Sequence, residues 1–198
     1  MDVSAVTITL HPLAKDALFK DYQALRYIFS NVLGQVETDY LSIALIDEDG
    51  RLFFFSSHPS IEQNLIEKEL WQHDGAFDPS FIYQNEMLAW SSLYHPDFRT
   101  QLHRYKQLDH RLEAGYSIPS DFEEFRAVFS FGFKSANPIF QTQIHQQKEK
   151  LLAMGKYCLR EIMQAVAIPQ RRKTNQFKPH LKLIVNNQVN YENLITER

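Results

Sequence analysis

Residues 39–57 read DYLSIALIDEDGRLFFFSS, and the fold turns on how that stretch is paired. Tyr40 to Ile46 is apolar apart from Ser42, Leu52 to Phe55 is a second apolar run, and Asp47-Glu48-Asp49-Gly50 stands between them. Asp-Gly between two such runs is a β-hairpin signal, because glycine accepts the positive φ that a tight reversal demands. A second hairpin is read in YSIPSDFEEFRAVFSFGFK, residues 116–134, which Gly115 opens. Along its second strand Phe125, Ala127, Phe129, Phe131 and Phe133 fall on one face and Arg126, Val128, Ser130, Gly132 and Lys134 on the other, the period of two that a strand imposes.

Helical spacing frames the hairpins. From Pro12 to Leu33 apolar residues (Leu13, Ala17, Leu18, Tyr22, Leu25, Phe29, Leu33) recur at three and four, with Gly34 where a helix stop is expected. Ser57-His58-Pro59-Ser60 starts another helix, with Ile61, Leu65, Ile66 and Leu70 on one side. A variable, aromatic middle follows, broken by turns at Asp74-Gly75 and Asp78-Pro79. It holds a short strand from Met87 to Trp90 and a helix from Pro96 to Leu108. A long helix from Pro138 to Ala167 closes the order, striped by Phe140, Ile144, Leu151, Leu152, Leu159, Ile162 and Val166, and Pro169 ends it. Helix, hairpin, helix, middle, hairpin and long helix make an α+β domain: an antiparallel sheet flanked by helices.

Bulk properties bound the function. A chain of 198 residues that is 44% hydrophobic and 23% charged has the size and composition of one ordinary globular domain. Its domain is read as residues 1–168, and residues 169–198 as a tail. One cysteine, Cys158, cannot close an internal disulfide, and no apolar run reaches the roughly 20 residues of a membrane span. With no secretory signal either, the reading is a cytoplasmic protein without a membrane partner. Net charge is −3, so the chain as a whole lacks the basic footprint of a phosphate tracker. Gln170 to Lys182 is the local exception, with five Lys or Arg and no acid, and reads as a solvated linker, with a phosphate-contacting arm as the alternative.

Catalytic and metal signals are thin. His95, His103 and His110 lack ligand spacing, since seven residues of helix put the last two about 10 Å apart in rise. Cys158 sits among apolar helix residues as a small hydrophobe. Six glycines and no phosphate-loop, nucleophile-elbow or zinc motif leave no support for an enzyme, a metal or a cofactor. Aromatic residues are in excess: 15 Phe, 9 Tyr and 2 Trp. Rings with isolated polar groups among them line small-molecule pockets, and they also make large apolar cores. The polar candidates are Tyr40, Ser42, Asp74, Asp78, Trp90, Tyr94 and Ser130. In a pocket, Trp90 would stack on a ligand or donate its N–H, and an Asp would accept from an N–H or O–H.

The order of these motifs resembles the N-terminal sensor domain of LuxR-type transcriptional regulators. The early hairpin, the helix after Ser57-His58-Pro59, the Asp turn, the Trp in the middle, HRLEAGYSIPSDFEEFRAVFSFGFK and the long closing helix carry it over about Asp16 to Ala167. The resemblance implies a PAS/GAF-like α/β/α sandwich that binds a small autoinducer-like signal, as in quorum sensing, and works as a homodimer. Trp90 resembles the family's pocket tryptophan, Gly115 the glycine that opens the next strand, and Asp74 or Asp78 the pocket aspartate. Where lactone-binding members carry a Trp and a Tyr four residues apart on the helix before that aspartate, this chain has Ile61 and Leu65. NLITER, residues 193–198, is similar to the first residues of a LuxR-type DNA-binding domain. On that resemblance residues 169–198 are a basic linker and the start of a helix-turn-helix, and DNA is contacted only through the part not contained in these 198 residues. A second class of function stays open: a dimerisation or protein-interaction module whose core is filled and takes no ligand.

Overall fold

In the computed structural model, which describes residues 6–135 and 143–166, the two apolar runs of the opening stretch are neighbouring strands. β2 (Tyr40–Ile46) and β3 (Arg51–Ser56) pair antiparallel, and Gly50 at the turn has φ +75°. A side chain there would also strike the Thr7 carbonyl oxygen, with a Cβ only 2.6 Å away. Ahead of them lie β1 (Thr9–Leu10), α1 (Ala14–Lys20) and α2 (Tyr22–Ser30). After them come α3 (Pro59–Glu67), α4 (Pro79–Ile82), β4 (Leu88–Ala89), α5 (Trp90–Leu93) and α6 (Arg99–Lys106). The second hairpin, β5 (Ala114–Phe122) with β6 (Phe125–Phe133), and the closing helix α7 (Lys148–Ala165) complete the described elements. The sheet order is β1-β3-β2-β6-β5-β4, so the first strands of the two hairpins are separated by β6 alone.

The α+β architecture is as read, with one difference in the sheet. β1 runs parallel to β3, which makes the sheet mixed, whereas the sequence pointed to antiparallel pairing throughout. Two residues are too few to show a period, so this edge strand left no sequence signal.

The helix read from Pro12 to Leu33 is two helices broken at Asp21, whose φ of −116° and ψ of 30° leave the helical region. The break has a packing reason. α1 lies against β3 and α3, while α2 lies against α7. A straight rod could not serve both layers, and the residues outside the bend, Leu13 and Tyr22, are exposed where the periodic reading had them buried. Among the described residues the long closing helix runs Lys148–Ala165 behind a 3-10 turn at Ile144–Gln147; the start read for it, with Pro138 and Phe140, lies outside the described residues, as do residues 167–198.

Each face of the sheet has its own layer. Leu41, Ile43, Leu45, Phe53, Phe55, Phe129, Phe131 and Phe133 alternate to one side and are all buried. α7 comes so close to this side that a Cβ on Gly155 would be 2.5 Å from the Phe129 ring. The other side carries Tyr40, Ser42, Ala44, Phe54, Val128 and Ser130, which join Ile61, Leu65, Trp90 and Leu102 of α3, α5 and α6 in one buried layer. No described helix is long and apolar enough to cross a membrane.

Candidate ligand-binding site

The second face holds the buried polar groups. Strand register places Ser56, Ser42, Ser130 and Ser117 in one row across four strands, because Ser42 is opposite Ser56 on β3 and Ser130 on β6, and Ser130 is opposite Ser117 on β5. All four are buried. The Ser117 and Ser130 hydroxyls are 2.8 Å apart, and Ser117 Oγ accepts the Trp90 indole N–H at 3.0 Å. Four hydroxyls in line on a buried strand face run against the usual preference for apolar side chains there, and each needs a partner.

Trp90 is fully buried at the β5 end of this row. It opens α5 immediately after β4, so it stands at the end of the short strand and not on it, which corrects the sequence reading. The turn out of the strand lays its ring on Gly115: a Cβ there would fall 2.0 Å from the indole. Glycine at 115 is thus a condition for the tryptophan's position, and its backbone needs no positive φ. Tyr40 meets Trp90 edge to face, ring centroids 5.8 Å apart. The Tyr40 hydroxyl donates to the Glu62 carboxyl, and burial first, then the neighbouring Glu62 charge, pushes its pKa well up.

Asp74 follows the 3-10 turn after α3 with its carboxylate wholly buried. Its Oδ1 accepts from the Ala76 N–H at 3.1 Å, and its Oδ2 takes the Lys106 ammonium at 2.6 Å. Lys106 Nζ also stands 4.3 Å from the Trp90 ring centroid and 5.4 Å from that of Tyr94, where ring faces attract a cation. Tyr94 donates to Gln107 Oε1 at 3.0 Å, and its pKa is raised by burial and by the Asp74 charge.

The structure therefore gathers Trp90, Tyr40, Ser42, Ser130, Asp74, Tyr94 and Gly115 into one buried centre. Asp78 is left out: it is exposed, and its Oδ1 accepts from the Ser80 N–H at 2.7 Å to cap α4. Glu62, Lys106, Gln107 and Ser117 were not foreseen. A signal existed for Lys106, which lies four residues after the buried Leu102 on α6, where an apolar residue is expected. A groove of about 680 Å³ lies beside the centre, lined among others by Val6 to Leu10, Trp71, Asp74, Phe77, Asp78 and His95. Asp74 belongs to both.

Comparison with solved structures places this arrangement in a known fold. Escherichia coli SdiA superposes with a TM-score of 0.54 at 16% identity, over 81% of this chain and 73% of that one. The fold is that of the autoinducer-binding domain of LuxR-type regulators. SdiA in complex with octanoyl-rac-glycerol matches at a TM-score of 0.53 and 19% identity, over 80% of this chain and 67% of that one. CepR2 from Burkholderia cenocepacia, an N-acylhomoserine-lactone-dependent LuxR-family transcription factor, reaches a TM-score of 0.49 at 12% identity, over 77% and 94% of the two chains, an overlap too low to add to the fold assignment. No protein-family model and no curated protein matches the sequence. At these identities the LuxR-type likeness is one of fold.

Proposed function

We propose that this chain is the signal-sensing domain of a LuxR-type regulator: it takes a small organic molecule against the polar face of its sheet and thereby controls DNA binding by a separate helix-turn-helix domain. The observation that supports this reading is the buried polar centre around Trp90, set between sheet and helices within that fold. A core that served stability alone would gain by replacing the serine row with apolar side chains. Asp74 belongs to both the centre and the groove, and in this proposal a ligand arrives from that side. Residues 1–168 are the sensing domain in this proposal, 169–198 the basic linker and the first residues of the DNA-binding segment, and the working unit is a homodimer able to meet two half-sites.

A second reading has its own observation. Trp90, Asp74 and Tyr94 already have their hydrogen-bond partners within the chain, as a filled core would require. On that reading the domain is a dimerisation or protein-interaction module that takes no ligand.

Native mass spectrometry decides between them. The purified protein is incubated with an organic extract of its source culture and weighed under native and denaturing conditions. The sensor reading predicts an added mass of a small organic molecule, on the order of a few hundred daltons for a pocket of ordinary size, that is lost on denaturation. A folded protein that gains no mass supports the filled core.

A further inference from the structure

Nearly every polar side chain in the centre is accounted for. Asp74 uses one oxygen for Lys106 and the other for the Ala76 N–H, the Trp90 N–H goes to Ser117, Ser117 meets Ser130, and Tyr94 goes to Gln107. One atom is left over. Glu62 is only 1% exposed, and while Tyr40 donates to its Oε1, its Oε2 has no hydrogen-bond partner. Thr38 Oγ1 and His110 Nε2 are the other buried side-chain atoms without a partner among the described residues, but Glu62 alone is bonded to Tyr40, the neighbour of Trp90. A buried carboxyl oxygen without a partner costs far more than an exposed one, and a donor or acceptor brought in by a ligand is one way to complete it.

We propose that Glu62 is the ligand-facing group of this centre and that the ligand presents a hydroxyl to it. The assignment rests on the sensor reading and deepens it by naming the chemistry of the head group. Glu62 sits on α3 against the same sheet face as Tyr40 and the serine row, and the Ser56 and Ser42 hydroxyls favour its charged form and draw its pKa down. Burial acts more strongly in the opposite direction and raises its pKa, so both the acid and the carboxylate are within reach. A hydroxyl suits either form, since it donates to a carboxylate and accepts from a carboxylic acid. An ammonium suits the carboxylate only, and a carbonyl the acid only. Trp90, Asp74 and Lys106 then hold the shape of the site and leave the recognition to Glu62.

The test titrates the whole chain with three probes of one tail: 1-octanoyl-rac-glycerol, which has free hydroxyls, octylamine, and methyl octanoate, which has no donor. The variants are Glu62→Gln and the double variant Glu62→Leu with Tyr40→Phe, which removes the carboxyl without orphaning the tyrosine hydroxyl. Wild type should bind octanoylglycerol about tenfold more tightly than methyl octanoate, the worth of one hydrogen bond to such a group. The double variant should bind the two alike, with methyl octanoate affinity unchanged. Glu62→Gln, which still offers a hydrogen bond, should keep part of the preference, and serves if the double variant does not fold. A preference that survives in the double variant, octylamine as the tightest probe, or no binding of octanoylglycerol by wild type would each overturn the proposal. A mass gained from extract together with any of those results removes the hydroxyl assignment alone; no mass gained and no probe bound removes the sensor reading with it.

Discussion

The two faces of one sheet are built on opposite principles. The side toward α2 and α7 is phenylalanine and aliphatic residues packed against helices, with Gly155 letting α7 settle onto Phe129. The side toward α3, α5 and α6 has a comparable degree of burial, yet carries a serine row, a glutamate and an aspartate–lysine pair. Dry apolar packing needs only volume and shape, and it supplies most of the free energy that holds the domain. Buried polar groups require every donor and acceptor to be met, and gain little net stability when they are. The first face fixes the fold, and on the function proposed above the second is where the sequence gives up stability for recognition.

The sharpest way to break this contrast is to damage each face separately. Phe129→Ala should cost about 3–5 kcal/mol, read as a fall in the urea midpoint, because it empties the close contact between α7 and the sheet. Loss of well under 1 kcal/mol would mean that the apolar face is not the foundation described. On the polar face, Lys106→Met should cost about 3–5 kcal/mol by leaving the Asp74 carboxylate buried and alone, and adding Asp74→Asn should recover more than half of that. An additive double variant would show that the pair is not coupled.

Smaller effects sharpen the same contrast. Ser117→Ala orphans the Trp90 indole N–H and should cost about 1–3 kcal/mol, with a shifted Trp90 emission that Phe129→Ala variants lack. Glu62→Gln gives the smallest change, and one that depends on pH. Burial raises the Glu62 pKa from its ordinary value of 4.5, so the folded protein keeps that proton to higher pH than the unfolded chain does. Its contribution is fully present below the unfolded glutamate value and is lost as pH rises through the raised one. The stability gap between wild type and Glu62→Gln should therefore be constant below about pH 4.5, and shift in the variant's favour as pH rises from there. A constant gap across pH would show that Glu62 titrates normally in the fold.

Much of the fold was legible because its signals are local. Asp-Gly between Ile46 and Leu52, the phenylalanine alternation from Phe125 to Phe133, and Pro59 at the start of α3 each state their geometry within a few residues. The break at Asp21 was not legible, since the apolar spacing continues through it and only the two layers it serves explain it. The site was half legible. Single residues such as Ser42, Ser130 and Trp90 stood out among rings, but their alignment into a row depends on β2 lying beside β6, a pairing of strands far apart in sequence. Glu62 and Lys106 were hidden by their type: on amphipathic helices charged residues belong to solvent as a rule, and only the full packing shows these two inside.

The central claim, that the polar face and not the neighbouring groove receives the ligand, can be read from the two tryptophans. Trp90 lies in the polar centre, and Trp71 lines the groove. In a proton–nitrogen NMR spectrum each gives its own indole N–H resonance, assigned by Trp71→Phe. Titration with the molecule recovered from extract, or with octanoylglycerol, should move the Trp90 resonance and leave that of Trp71 in place. Movement of Trp71 alone, or binding by mass with neither resonance moved, would contradict the account.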